Sequence, residues 1–306
     1  MTNSRRSVQF DFYTCDVFTR HRFGGNPLAV LPDARGLTDQ QMLQIAREFN
    51  YSETTFVLPP EAGHTRRVRI FTPAREVPFA GHPNIGTAFV LATAGLLGDI
   101  PGEIEVVFEE GAGLVPVRIL SDADRDLYCE LSAPQPLSIG AEVSIASVAA
   151  ALTLADEDIS DASHLPVIAS VGLPFLLAEV RDLAALGGAR IGWDGMQGLH
   201  HAGFPPDVLF YTRDTHENCL RARMFAPLDG VPEDPATGSA NAALAAFLAH
   251  IDESADGDFG FRIRQGVEMG RPSTLEAKVR KRNGSVLETR IGGHSVLVGE
   301  GVLHLS

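Results

Sequence analysis

The chain has 306 residues, with 25 Lys and Arg against 39 Asp and Glu and a formal net charge of −14 with histidines neutral. Hydrophobic residues make up 44% and charged residues 21%, which excludes a disordered acidic chain and suits one large or two medium domains. The acidic balance argues against nonspecific binding to nucleic acid or an anionic membrane surface, but an acidic substrate remains compatible with a locally positive pocket or with aligned backbone N–H groups.

Residues 1–8 read as a frayed leader without the apolar segment of a signal peptide, and no apolar run reaches the length of a membrane span. The expectation is a soluble, cytoplasmic protein. Cys15, Cys129 and Cys219 are widely spaced and odd in number, so they read as buried free thiols.

Gln9 to Phe18 reads as a strand, then Phe23-Gly24-Gly25-Asn26-Pro27 as a turn and Leu28 to Leu31 as a second strand. Thr38 and Gln41 form a capping box for a helix to about Phe49, with Met42, Ile45, Ala46 and Phe49 on one face. Tyr51 to Leu58 is a junction running into a strand, and Arg66 to Phe71 alternates as a strand does. Gly81-His82-Pro83 opens an apolar helix ending near Gly95, with Ile85, Ala88, Phe89 and Ala92 on its face. Residues 103–120 read as two short strands, and Ala133-Pro134-Gln135-Pro136 as an extended connector. Helical text covers 142–155, strands Val167 to Val180 and Asp207 to Tyr211, and a short helix-like stretch Ala184 to Leu186. Trp193 reads as a core residue, and Phe259 to Leu305 as several short, glycine-rich strands.

An internal repeat carries the domain reading. Arg69-Ile70-Phe71-Thr72-Pro73 matches Arg223-Met224-Phe225-Ala226-Pro227, and Val77-Pro78 matches Val231-Pro232, at an offset of 154. Dropping two residues changes the offset to 152 and sets His82-Pro83 against Asp234-Pro235, and Gly86-Thr87-Ala88 against Gly238-Ser239-Ala240. The predicted architecture is therefore duplicated, with halves at 1–130 and 131–306 and the final strand free to pack on the first half. Unpaired N–H groups at a helix start attract anions. Two such starts aimed at one cleft would hold a carboxylate without a cationic side chain.

Glu53 lies among strand formers, where desolvation would raise a carboxyl toward a useful base; the plainer reading is a solvated surface glutamate. His82, at a helix start that disfavours imidazolium, is either a neutral proton-exchanging group or a structural histidine. Asp234 is either a second titratable group or an N-cap with Pro235 at the first helical position. Ser239 has no Gly-x-Ser-x-Gly context and reads as a substrate contact or a helix-start hydroxyl. No metal-ligand spacing, dinucleotide fingerprint or phosphate loop occurs, so neither metal nor cofactor is expected.

The ordered motifs Asp16-Val17-Phe18-Thr19, Phe23 to Val30, Ala46 to Asn50, Ser52 to Val57, Phe79 to Pro83, Asp234 to Ala240, Gln265-Gly266 and Gly270 to Ser273 resemble the phenazine-biosynthesis PhzF-like family over about 10–305. That resemblance implies an α+β, duplicated diaminopimelate-epimerase-like fold, two similar halves each with a curved barrel-like sheet around a central helix. It implies a cofactor-independent isomerase, a homodimer, acting on a small unsaturated carboxylic acid such as trans-2,3-dihydro-3-hydroxyanthranilate. Glu53 matches the family's proton-shuttling glutamate; His82, Asp234 and Ser239 match its other catalytic groups. Asn26, Ser52, Gly81, Thr237 and Gly238 are the expected substrate contacts. The paired thiols of the epimerase relatives are missing from both loops. A noncatalytic acid-binding protein and an epimerase or racemase of another acid are the alternative readings.

Overall fold

The computed structural model describes residues 8–121, 126–217 and 219–305, so the expected leader lies outside them except for Val8. Ladder hydrogen bonds link seventeen strands into one large mixed sheet in an α+β fold. None of the described helices is long and apolar enough to cross a membrane.

The chain divides into two compact units. The first comprises residues 1–23, 27–131 and 294–306. It contains β1 (Val8–Val17), most of β2 (Asn26–Leu31), α1 (Asp39–Phe49), β3 (Glu53–Leu58), β4 (Arg66–Phe71), β5 (Glu76–Val77), α2 (Gly81–Thr93), β6 (Glu103–Glu110), β7 (Gly113–Ser121) and nearly all of β8 (Leu127–Ser132). β2 and β3 run parallel, β3 and β4 antiparallel, β4 and β6 parallel, and β6, β7 and β8 form an antiparallel meander.

Helix α1 starts where the capping box places it. The Thr38 hydroxyl accepts from Gln41 N–H, and the Gln41 side chain accepts from Thr38 N–H at 3.0 Å. Met42, Ile45 and Ala46 are buried as one stripe. Helix α2 differs from the one-sided helix expected, because every residue from Gly81 to Leu91 is buried. A helix apolar all round belongs inside a core. Gly86 permits its close seat: a Cβ there would lie 2.5 Å from Leu28 Cδ2 and 2.7 Å from Val17 Cγ2.

The second unit comprises residues 24–26 and 132–293. It contains β9 (Ser138–Glu142), α3 (Ile145–Leu152), β10 (Val167–Ser170), β11 (Pro174–Glu179), α4 (Leu183–Gly188), α5 (Trp193–His201), β12 (Val208–Asp214), β13 (Cys219–Ala226), β14 (Val231–Asp234), α6 (Gly238–Ile251), β15 (Gly257–Gln265), β16 (Ser273–Arg282) and the beginning of β17 (Ser285–Leu305). Val148, Leu152, Leu186, Met196 and Leu199 of the three short helices pack with Leu176 and Phe210 of the sheet in one cluster. The Ala-rich α6 is buried from Ala240 to Ala249. Its far end is closed by the buried Lys281, whose Nζ donates to the His250 carbonyl at 2.9 Å and the Asp252 carbonyl at 2.7 Å.

Three local expectations are corrected. Trp193 is 54% exposed at the start of α5, a helix the sequence reading did not include. The helical text of 142–155 shortens to α3, because Ser138 to Glu142 extends as a strand beside β10. The glycine-rich tail is not a set of short segments but three long strands of 9, 10 and 21 residues.

Matching local arrangements recur in the two units, in a register different from that of the sequence repeat. Arg69 and Arg223 each grip a glutamate through two bonds: Arg69 to Glu76 at 2.7 and 2.6 Å, Arg223 to Glu233 at 2.8 and 2.9 Å. Ile70 pairs with Val77 where Met224 pairs with Asp234. Gly81 opens α2 and Gly238 opens α6. Three residues later, Asn84 Nδ2 donates to the Ala80 carbonyl and Asn241 Nδ2 to the Thr237 carbonyl, both at 2.9 Å. The offset is therefore 154 along β4 and β13, then 157 from Glu76 to Asn84. In this register the second segment carries three more residues than the first, around the 3-10 turn Pro227–Asp229, where the sequence repeat dropped two. It follows that the counterpart of His82 is Ser239, and the counterpart of Asp234 is Val77.

Candidate active site

Glu53 and His82 meet within the first unit. Glu53 opens β3, opposite Leu28 of the parallel β2. His82 is the second residue of α2, whose N-cap, Ala80, supplies no side-chain cap. The His82 Nε2 lies 3.5 Å from Glu53 Oε2, with the His82 side chain 6% and the Glu53 side chain 19% exposed. Burial lowers the imidazole pKa to about 3, so the ring is neutral at physiological pH despite the adjacent carboxylate. The positive end of the helix acts in the same direction. A neutral ring beside a carboxylate can donate an N–H to it or exchange a proton with a bound molecule. Ser52 and Gly81 flank the pair, half-buried and buried respectively.

Asp234, Asn26 and Thr237 meet within the second unit. Asn26 Nδ2 donates to Asp234 Oδ1 at 2.8 Å and to the Ala236 carbonyl at 3.0 Å. The Thr237 hydroxyl donates to Asp234 Oδ2 at 2.5 Å. Burial pushes the Asp234 carboxyl up to about 6, against the opposing pull of the Thr237 and Asn26 hydrogen bonds. The N-cap reading of Asp234 is overturned: the cap position belongs to Thr237, and Pro235 precedes the helix rather than opening it. Gly238 and Ser239 are the first two residues of α6, and Thr237 supplies no side-chain cap. Neither helix start thus has a side chain capping its first-turn amides.

Several residues that shape these loops were not on the sequence-derived site list. Gln265 Nε2 donates to the Asp234 carbonyl at 2.7 Å, and its Oε1 accepts from Asn241 Nδ2 at 2.7 Å. Arg271 donates to the Gly25 and Gly24 carbonyls at 2.9 and 2.8 Å, and Ser273 Oγ to the Pro235 carbonyl at 2.8 Å. Gln265 and Ser273 lie in motifs that carried the family resemblance. The recurrence of Gly-x-x-Asn at 81–84 and 238–241 was the available signal for Asn84 and Asn241.

Asp214, Glu217 and Cys219 form a candidate metal-binding group among the described residues, with one ligand atom from each lying within 4.8 Å of the others. Arg264 pairs with Glu217 there, and Arg221 lies 3.8 Å from Asp214, so guanidinium charge already balances the carboxylates. All three cysteines are free and buried.

The phenazine biosynthesis-like protein family (PhzC-PhzF) matches residues 15–301. An uncharacterized isomerase of Mesorhizobium japonicum is 41% identical over 300 residues, covering 95% of this chain and 97% of that protein. The trans-2,3-dihydro-3-hydroxyanthranilate isomerase of Pseudomonas aeruginosa is 33% identical over 305 residues, covering 96% and 99%. The crystal structure of a Bacillus anthracis PhzF-family phenazine biosynthesis protein superposes with a TM-score of 0.88 at 24% identity, covering 97% of this chain and 99% of that one, and shows the same fold. The chain is thus an enzyme of the isomerase type. It belongs to the phenazine biosynthesis-like, or PhzF, family.

Proposed function

We propose that this enzyme moves a proton within a small unsaturated carboxylic acid without a cofactor, and that Glu53 carries the proton. The observation behind this reading is the Glu53–His82 pair, a carboxylate set 3.5 Å from an imidazole kept neutral by burial. Glu53 takes a proton from an activated carbon. The electrons of that carbon–hydrogen bond enter the substrate's own conjugated system, the double bond shifts, and Glu53 returns the proton to another carbon. Nothing is oxidised or reduced overall, so no external electron acceptor is required.

His82, Asp234 and Ser239 serve as the other catalytic groups, and first-turn amides at Gly81 and Gly238 stabilise negative charge on the acid. Ser52 supports Glu53, while Asn26 and Thr237 fix the Asp234 carboxyl. The two units arose by duplication, each a curved sheet around its buried helix, with the boundary near residues 130 and 131. The active form is a cytoplasmic homodimer. The similarity to dihydrohydroxyanthranilate isomerases makes trans-2,3-dihydro-3-hydroxyanthranilate the first substrate to try.

The test is a panel of cyclic and unsaturated acids incubated with the enzyme in heavy water, read by mass and by double-bond position together. Migration of the double bond supports the isomerase. Deuterium uptake at a stereocentre with the double bond unmoved selects an epimerase instead. Ligand-stabilised melting without turnover of any acid selects a binding protein.

A further inference from the structure

The loop that leads into α6 is held by one amide side chain. Gln265 Nε2 donates to the Asp234 carbonyl at 2.7 Å and the Thr237 hydroxyl at 3.1 Å. Its Oε1 accepts from Thr237 N–H at 3.2 Å and from Asn241 Nδ2 at 2.7 Å. The hold requires a donor and an acceptor on the same side chain, which an amide has.

The corresponding position in the first unit is Glu110. Arg66 faces Phe108 and Arg67 faces Glu109 across β4 and β6. Leu220 faces Ile263 and Arg221 faces Arg264 across β13 and β15. The next residue along β6 is Glu110, and the next along β15 is Gln265, which faces Ala222. The following glycines confirm the register. A Cβ on Gly111 would lie 3.2 Å from Pro78 Cα, and one on Gly266 would lie 3.1 Å from Pro235 Cα. Pro78 and Pro235 are themselves equivalent at the offset of 157.

Both Glu110 carboxyl oxygens are buried and find no hydrogen bond in good geometry among the described residues. A carboxylate only accepts. A protonated carboxyl has an O–H donor and a carbonyl acceptor, the same complement that Gln265 uses. The backbone carbonyl equivalent to that of Asp234 is that of Val77, and the amide equivalent to that of Asn241 is that of Asn84.

We propose that Glu110 is a positioning residue that works as an uncharged acid, holding the loop that leads into α2, and with it His82, as Gln265 holds the loop into α6. Burial pushes its carboxyl up to about 8, opposed by the Asn84 amide, so the group is protonated at neutral pH. The ionisable groups on neighbouring elements are His82 on α2, which is neutral, Glu53 on β3, Arg66 and Arg67 on β4, and Glu109 on β6. Glu109 is occupied by the backbone N–H groups of Glu61, Ala62 and His64. None of them contributes to the Glu110 shift. When the O–H bond breaks and the proton leaves to solvent, an uncompensated buried charge remains, and opening the loop relieves it.

The experiment is amide hydrogen exchange of residues 79–84, corrected for intrinsic rates, from pH 6 to 10 in wild type, Glu110→Gln and Glu110→Ala. Wild-type protection should fall about tenfold between pH 7 and 9.5, as expected when a buried acid ionises inside that range. Glu110→Gln should hold its protection constant, and Glu110→Ala should be poorly protected throughout. A pH-independent wild type, or a Gln variant that tracks wild type, overturns the proposal. Should the Ala variant fail to fold, carbon-13 carboxyl NMR of wild type decides, with the Glu110 signal identified by its loss in Glu110→Gln. A midpoint near 8 supports the proposal, and one below about 6 overturns it.

The consequence for turnover rests on the isomerase reading, but these measurements need no substrate. Failure of that reading would therefore leave them interpretable.

Discussion

His82 Nε2 lies 3.5 Å from Glu53 Oε2, and burial of the imidazole keeps it neutral. Glu53 is therefore the member of the pair to test first as the proposed proton carrier. Glu53→Gln keeps the shape and removes the proposed proton carrier. It should lower turnover by about a thousandfold while leaving the melting temperature within a few degrees. Deuterium incorporation from heavy water into a converted acid is the measurement. Wild-type rates in the variant would end the shuttle assignment.

Asp234 offers a prediction in pH. Its folded pKa of about 6 lies above the ordinary 3.8, so folding favours the neutral acid. The stability this confers is present below about pH 3.8 and lost as pH rises through 6. Asp234→Asn is neutral at every pH. The melting temperature of the variant minus that of wild type should therefore climb between about pH 4 and 6, then level off. If turnover uses the ionised form, wild-type kcat/KM falls below about pH 6, and the variant shows a low, flat profile across that limb. An unchanged rate with the stability trend intact would confine Asp234 to a structural role.

His82 moves stability in the opposite direction. Folding favours the neutral ring, so the stability it confers is present above the ordinary 6.5 and is lost as pH falls toward 3. Replacing His82 with Gln should flatten the acid-side decline of the melting temperature relative to wild type. A variant curve parallel to wild type from pH 3 to 7 would contradict the deep burial of the ring.

Gly86 tests how tightly α2 is seated. A methyl group there meets Leu28 and Val17, both fully buried, so neither side chain can swing aside cheaply. Gly86→Ala should destabilise the protein by about 1–3 kcal/mol in urea unfolding, although alanine is the better helix former. A neutral or stabilising result would mean that the helix seat is looser than its contacts indicate.

Lys281 tests the far end of α6. Its ammonium donates to the His250 carbonyl in the last turn and to the Asp252 carbonyl at the C-cap, and the side chain is buried. Lys281→Met preserves much of the stem and removes the donors. A loss of about 1–3 kcal/mol, with faster exchange of amides near Ile251, is the expected outcome.

The sequence made α1 legible because Thr38 and Gln41 act locally, and β4 because its alternation is uninterrupted. The tail was misread because its glycines look like breaks. In β17, Gly301 lies opposite Phe12, and a Cβ there would come within 2.7 Å of the Phe12 ring. That glycine makes room for an aromatic inside a continuous ladder, a requirement set by residues nearly the whole chain away. The repeat register failed for a different reason. Val77-Pro78 and Val231-Pro232 match in sequence, whereas Glu76 and Glu233 make the matching bonds, and only their contacts with Arg69 and Arg223 show it. Trp193 was misassigned because apolar bulk alone does not determine which face of a short helix meets water. Glu53, His82 and Asp234 stood out as candidates, while Glu110 could not, since its significance depends on a ladder partner and a buried neighbour.

The β1–β17 ladder pairs Val8 with Leu305 and Val17 with Ser295. The first unit therefore takes one neighbour of β1 from Ser295–Leu305, a stretch made only after the second unit's part of the chain. While the second unit is being synthesised, that flank of β1 waits, and its exposed N–H and C=O groups invite adventitious strand pairing or chaperone capture. Loss of Ser295–Leu305 would damage the first unit before the second.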